Sequence, residues 1–246
     1  VKLMVARVGK GGRIFFVGAG TSGRLGILEA AECPPTFDTS PDLVQAVMAG
    51  GPECVWASRE GAEDDRDAGK VALKKKRVGK KDVVVGIAAS GVTPFVHGAL
   101  DHAKKVGAGR ILVTCNRKGV LASSADVIVA PLVGPEVISG STRLKAGTAT
   151  KLVLNRLTVA TMIQLGKVFE NWMVDLQPKS EKLQARAIRI IREISGIGEK
   201  EAYEALKASR NRTKVAIVMV RQKVGIRQAE RLLKKSGGML RKVLKS

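Results

Sequence analysis

Val17–Thr36 reads VGAGTSGRLGILEAAECPPT. It holds a strand end, a loop rich in glycine and hydroxyls, the start of a helix, a carboxylate and a Pro-Pro pair. The preceding Arg13–Val17 (RIFFV) is a short apolar run of the kind a buried strand needs. Gly18–Gly23 then reads as a loop and Arg24 to Glu32 as a helix. Pro34-Pro35 predicts its end, because proline lacks the donor that continues a helix. A strand, a tight loop and a helix in that order gather backbone N–H groups and a positive dipole end at one point, which suits an anion.

The same grammar continues outward. Leu43–Met48 is a second strand candidate closed by Gly50-Gly51, and Pro52–Arg59 reads as helix. The acidic Glu60-Gly61-Ala62-Glu63-Asp64-Asp65 leads into a helix ending in Lys74-Lys75-Lys76. Asp82–Ile87 (DVVVGI) is the clearest buried strand; the loop Ala88–Thr93 follows it. Pro94 then opens a helix that runs to Val106. Arg110–Thr114 and Val127–Ala130 add two strands. Strands alternating with helices predict an α/β fold, a doubly wound parallel sheet flanked by helices. From Gly140 onward no strand pattern remains. Thr142–Leu165 carries helical periodicity, followed by Ser180–Ile194, Glu199–Ser209, Thr213–Gln222 and Arg227–Lys235. Two domains are expected, 1–178 around the sheet and a small helical C-terminal domain over 179–246, with no internal repeat.

Composition sets limits. At 246 residues and 45% apolar content the chain is long enough for a real core. No apolar run approaches the roughly 20 residues that cross a bilayer, and no signal peptide opens the chain. The opening VKLMVARVGKGG reads instead as the end of a helix, so a preceding segment is expected. Cys33, Cys54 and Cys115 form no C-x-x-C pair and fit reduced thiols in the cytoplasm. His97 and His102 stand five apart and share no helix face, so no metal site is expected. The net charge is +21, and residues 179–246 carry 19 Lys and Arg against six acids, which is +13 of it. Such a tail raises nucleic-acid binding. Aromatics make up only 3% of the chain, however, and do not interleave with the cations. The tail therefore reads as a solvated basic surface that steers anions, and nucleic acid is not expected as a partner.

Gly18-Ala19-Gly20-Thr21-Ser22-Gly23 matches G-x-G-x-x-G, so a dinucleotide site comes first. That site wants a carboxylate at the tip of the second strand to hold a ribose. Here the tip is Met48-Ala49-Gly50-Gly51. Thr21 and Ser22 instead add hydroxyl donors to the loop, which favours a compact phosphomonoester. Ala88-Ala89-Ser90-Gly91-Val92-Thr93-Pro94 repeats the arrangement: strand, two hydroxyls, helix. Two such loops on one parallel sheet converge at its carboxyl edge. Thr21, Ser22, Ser90 and Thr93 are the candidate phosphate ligands, with Gly23 and Gly91 allowing close backbone approach.

GAGTSGRLGILEAAECPPTF, EGAEDD, VVVGIAASGVTPFV and GPEVISGSTRLKAGTATKLVLN together resemble stretches of the N-acetylmuramic acid 6-phosphate etherases. These are sugar-isomerase (SIS) domain proteins related to the glucokinase regulatory protein. The resemblance runs from Gly11 to the C-terminus and is most distinctive over Gly134–Lys151. It implies removal of D-lactate from the 3-position of N-acetylmuramic acid 6-phosphate, a lyase reaction without cofactor, in a homodimer with sites near the subunit boundary. The family's catalytic glutamates fall on Glu32, implied as the acid, and Glu63, implied as the base. Val92 stands where the family usually has arginine. By spacing alone Glu32 is a helix-end carboxylate and Glu63 one of a solvated acidic run; Glu29, Glu60, Asp64 and Asp65 keep that plain reading.

Three other classes each fit part of the sequence. A phosphosugar-binding regulatory protein of the same fold needs neither glutamate. An aldose–ketose isomerase shares the C2 chemistry but leaves Gly134–Lys151 unexplained. A nucleic-acid binder would hold duplex DNA in ~0.2 M salt, where non-specific phosphate contacts fade.

Overall fold

The computed structural model describes residues 1–117 and 124–245. The five apolar runs become parallel strands: β1 Ile14–Gly18, β2 Val44–Met48, β3 Val83–Ile87, β4 Gly109–Val113 and β5 Val127–Val129. Their spatial order is β2-β1-β3-β4-β5. Every residue of β1 and β3 is buried, because helices cover both faces of the sheet. Phe15, Val17, Val84 and Leu112 face one side, against Leu73 of α3 (Arg66–Lys75) and Val96 and Leu100 of α4 (Pro94–Lys105). The chain opens on α1 (Lys2–Val8), and on the other side of the sheet runs α2 (Gly20–Phe37). It comes so close that a Cβ on Gly26 would lie 2.8 Å from Phe16 Cβ. This is the doubly wound sheet that the strand–helix alternation predicts.

Helices α3 and α4 meet backbone to backbone. A Cβ on Gly69 would stand 2.0 Å from the Phe95 carbonyl oxygen, and one on Gly98 would stand 1.8 Å from that of Arg66. At the amino edge of β3, Asp82 is buried and accepts from Arg13 N, Arg13 Nε and Gly79 N. Burial acts to raise its pKa, but the Arg13 side chain and the Gly79 and Arg13 N–H groups outweigh it and hold the carboxyl below its ordinary value.

Three local expectations are corrected. Helix α2 does not stop at Pro34-Pro35 but runs through both to Phe37. Asp38 N–H still donates to the Pro34 carbonyl (3.0 Å), and Cys33 and Phe37 are buried along that turn, so packing holds it despite the missing donors. The helix read over Pro52–Arg59 shrinks to a 3-10 turn, Pro52–Val55. The carbonyls of Cys54 and Val55 are taken by the Arg24 guanidinium instead of by a continuing helix (2.9 and 2.7 Å). Beyond Gly140 one more ladder exists, β6 Val168–Phe169 against β7 Trp172–Met173. Strands of two residues are too short for a periodic pattern to reveal.

The chain divides into two compact units, Val1–Glu32 with Ser40–Val159, and Cys33–Thr39 with Ala160–Ser246. Helix α5, Lys145–Gln164, contributes to both, as does α2. The second unit holds α6 (Glu181–Ser195), α7 (Glu199–Ala208), α8 (Thr213–Gln222), α9 (Ile226–Lys235) and α10 (Leu240–Leu244). Ile190, Ile191, Leu206, Ile217 and Leu233 are among the residues of its core. Contrary to the expectation of no repeat, α7–α8 and α9–α10 are two copies of one motif. Gly198 and Gly225 are equivalent caps; Ala202 and Ala229, Leu206 and Leu233, and Ser209 and Ser236 follow in step. The hydroxyls of Ser209 and Ser236 donate to the carbonyls of Leu206 and Leu233 respectively.

Replacing Asp82 by asparagine is expected to cost about 2 kcal/mol at neutral pH, the worth of charged hydrogen bonds to a buried acceptor. A carboxylate held low in the fold stabilises above its ordinary pKa of about 4 and loses that contribution as pH falls through the folded value. Urea unfolding of both proteins should show the gap at pH 7 narrowing as pH drops below about 4; a gap independent of pH would refute the ion-pair account.

Candidate functional site

The register brings the carboxyl ends of the central strands level. Gly18 pairs with Met48 and with Ile87, and Ile87 pairs with Val113. The segments leaving β1, β2 and β3 therefore emerge side by side, at the edge where ligands of parallel sheets bind.

After β1 the chain turns in a single residue. Gly18 ends the strand and Gly20, at φ +52°, begins α2. A Cβ on Gly18 would stand 2.6 Å from Gly23 N, and one on Gly23 would stand 2.2 Å from Met48 Sδ. Thr21, Ser22 and Gly23 thus lie in the first helical turn rather than in a loop. Gly23 is buried against β2, while the Thr21 and Ser22 hydroxyls make no hydrogen bond to another described residue. Free hydroxyls beside unpaired first-turn N–H groups form an anion cradle.

The segment after β3 is braced from behind. Gly91, at φ +77°, donates its N–H to the Ala88 carbonyl (2.8 Å), and Val92 N–H reaches Ser90 Oγ (3.4 Å). The buried His97 donates from Nε2 to the Gly91 carbonyl (2.8 Å). Asn116 Nδ2 donates to the Ser90 carbonyl (3.0 Å), and Thr114 Oγ1 to that of Ala89 (3.2 Å). Ser90 is exposed, and Thr93, the N-cap of α4, makes no side-chain capping bond. The carbonyls are engaged from behind, and the Ser90 and Thr93 hydroxyls donate to no other described residue.

The third segment carries acid. Phe95 N–H donates to the Glu63 carbonyl (2.9 Å), which ties the acidic run to the first turn of α4, two residues past Thr93. Glu63 is exposed and lines a cavity of about 470 Å³ together with Gly20, Arg24, Glu60 and Asp64. Asp65 caps α3 by accepting from Ala68 N (2.8 Å). Glu32 lies elsewhere. It is exposed, twelve residues along α2 from Gly20 and so about 18 Å away, and it does not line that cavity. Glu63 shares its cavity with Ala19 and Gly20 at the start of α2, and its carbonyl is bonded at the start of α4; Thr21, Ser22, Ser90, Thr93 and Glu32 do not line that cavity.

Sequence reading passed over several residues that shape this edge. Glu29, one turn before Glu32, is buried and accepts from Asn155 and Thr158 of α5. Glu136 accepts from the N–H groups of Lys145 and Ala146 and so caps α5 (2.8 and 2.9 Å). The Ala146 N–H leads in holding Glu136 below the usual carboxylate range; desolvation opposes it, and the Lys145 N–H and charge assist. His97 and Arg24 brace the turns named above. None shows a motif, because each acts on a backbone carbonyl or on a distant helix. Among the described residues no group of three His, Cys, Asp or Glu is placed to hold a metal ion. No helix among them is long and apolar enough to cross a membrane.

Replacing His97 by phenylalanine keeps bulk but leaves the Gly91 carbonyl unpaired. Hydrogen exchange at residues 89–93 should quicken about tenfold, equivalent to ~1.4 kcal/mol of local stability, with β3 amides unchanged. Equal quickening in β3 would mean that His97 supports the whole core rather than this turn.

Residues 1–104 match the glucokinase regulatory protein N-terminal SIS domain, and residues 66–160 match the SIS domain. An N-acetylmuramic acid 6-phosphate etherase of Rhizobium rhizogenes is 49% identical over 244 residues, 99% of this chain and 80% of that protein. One from Geobacillus thermodenitrificans is 48% identical over 99% of this chain and 83% of its own length. One from Symbiobacterium thermophilum is 54% identical over 89% and 72% respectively. Among solved structures, a candidate phosphosugar isomerase involved in capsule formation from Bacteroides fragilis shares the fold. Its TM-score is 0.50 at 20% identity, covering 69% of this chain and 79% of that one.

Proposed function

The chain belongs to the N-acetylmuramic acid 6-phosphate etherase family, and on that premise we propose that it cleaves the D-lactyl ether of N-acetylmuramic acid 6-phosphate. The products are N-acetylglucosamine 6-phosphate and D-lactate. The observation that carries the reading is the level edge itself: two hydroxylated turns, with Glu63 tied by its own carbonyl to the first turn of α4, just past the second of them. Thr21, Ser22, Ser90 and Thr93 hold the phosphate, with the unpaired N–H groups of the α2 first turn, and Gly23 and Gly91 let the backbone approach it.

In the open-chain sugar the aldehyde acidifies the C2 proton. Glu63 takes that proton, the C2–H electron pair forms the C2–C3 double bond, and the C3–O bond breaks. Glu32 supplies a proton to the departing lactate oxygen. Water then adds at C3 and a proton returns to C2. The base must be ionised and the acid protonated at one pH, so the two carboxyls need different surroundings.

Glu32's distance from the Glu63 cavity supports a site completed by a second copy. Leu28, one turn before Glu32, is 45% exposed, and Leu152 and Val159 on α5 are 48% and 41% exposed. An apolar surface of this kind beside Glu32 favours a homodimer in which each site joins one chain's Glu63 to the other's Glu32. Three free cysteines among the described residues are consistent with a cytoplasmic setting. A second reading, a phosphosugar-binding regulatory protein, has the match over residues 1–104 in its favour. It predicts binding without turnover.

Incubation with N-acetylmuramic acid 6-phosphate in deuterated water should release lactate and place deuterium at C2. Silence in both readouts, with phosphosugar still bound, would favour the regulatory reading. Glu63→Gln should abolish C2 exchange and keep binding; surviving exchange would reassign the base. Mixing inactive Glu32→Gln and Glu63→Gln chains, with subunit exchange, should restore about a quarter of the parental activity, since half the dimers then hold one intact site. A mixture that exchanges subunits yet stays inactive would place both glutamates in one chain.

A further inference from the structure

The two copies of the helical motif differ where they turn. The second copy turns through Gly237-Gly238, at φ +67° and +79°. The first adopts the same left-handed conformation with Arg210-Asn211, at φ +58° and +59°. A side chain in that region costs roughly 1 kcal/mol or more per residue relative to glycine. The backbone bonding is the same in both: Gly238 N–H donates to the Leu233 carbonyl (2.8 Å) as Asn211 N–H does to that of Leu206 (3.0 Å). The turn therefore needs no side chains, and the first copy keeps two.

Those side chains line a cavity of about 460 Å³ within the second unit, shared with Lys179, Arg212, Lys214 and Asp38. Most of its charges are already engaged. Lys214 Nζ bonds Asp175 and the carbonyls of Gly166 and Gly238, with Lys167 also on Asp175. Arg212 pairs with Glu230 and donates to the Ser209 carbonyl. Lys179 and Arg210 have no ion-pair partner among the described residues. The cavity thus presents two cations outside any ion pair, Lys179 and Arg210, and the Asn211 amide, all exposed, beside the exposed carboxylate of Asp38, which also feels the charges of Lys167 and Lys179.

We propose that this cavity binds a small hydroxylated phosphate monoester. Lys179 and Arg210 take the phosphate with the Asn211 amide, and Asp38 accepts from the hydroxyls. A bare phosphate meets Asp38 with like charge, whereas a hydroxylated ester satisfies it, so the ester binds more tightly than inorganic phosphate. The site is separate in sequence from the sheet-edge turns and does not depend on the etherase chemistry.

The test uses the full chain, 15N-labelled, carrying Ser22→Ala and Ser90→Ala to weaken the sheet-edge site, titrated with glycerol 3-phosphate, inorganic phosphate and sulfate. Saturable amide shifts are expected at 179 and 210–214, with glycerol 3-phosphate about tenfold tighter than inorganic phosphate. Arg210→Gly with Asn211→Gly installs the second copy's own turn and should keep or raise the melting temperature. It should also weaken binding by about tenfold or more. Asp38→Asn should erase the preference over inorganic phosphate. Shifts absent at these amides, equal for sulfate, or surviving the glycine pair would overturn the proposal.

Discussion

Gly18 and Gly23 lie so close that neither tolerates a Cβ, and this approach of helix to strand sets the geometry of the whole sheet edge. With the helix seated directly on the strand end, Thr21 and Ser22 fall in its first turn, beside its unpaired N–H groups. The in-register pairing of Gly18 with Ile87 and Met48 then brings the segments after β2 and β3 to the same level. A larger residue at either glycine would lift α2 from β1 and separate the hydroxyls from their neighbours.

The acidic segment depends on a second close approach. Gly69 and Gly98 let α3 and α4 touch through backbone, and the Phe95 N–H to Glu63 carbonyl bond fastens the run before α3 to the start of α4. Glu63 is exposed, yet its main chain is held. Glu29 does the corresponding work on α2: bonded to Asn155 and Thr158, it anchors the helix one turn from Glu32. In both places a buried or backbone contact fixes the main chain near an exposed carboxylate without removing that carboxylate from solvent.

The helical unit shows how a repeat hides. Its two copies share caps, core positions and a serine that closes the first helix of each, but charged surface residues dominate the letters. At the turn, Arg210-Asn211 and Gly237-Gly238 share a conformation and backbone hydrogen bonding but no side chain.

Much of the site was legible before any coordinates. Short apolar runs alternating with helical stretches specify the parallel strands, and hydroxyls at the start of a helix lie beside its unpaired donors, because both follow from local donors and sterics. The resemblance in four ordered blocks identified the family. The run of α2 through Pro34-Pro35 was not legible, since burial of Cys33 and Phe37 offsets what proline removes. Neither was the 3-10 turn that Arg24 holds from another element, nor the brace from His97. Chain order alone places Glu32 and Glu63 in separate segments and says nothing of the distance between them. Only the tertiary structure set Glu63 in a cavity with the start of α2, its carbonyl bonded at the start of α4, and left Glu32 outside that cavity twelve residues along α2, because register and helix length act through space rather than along the chain.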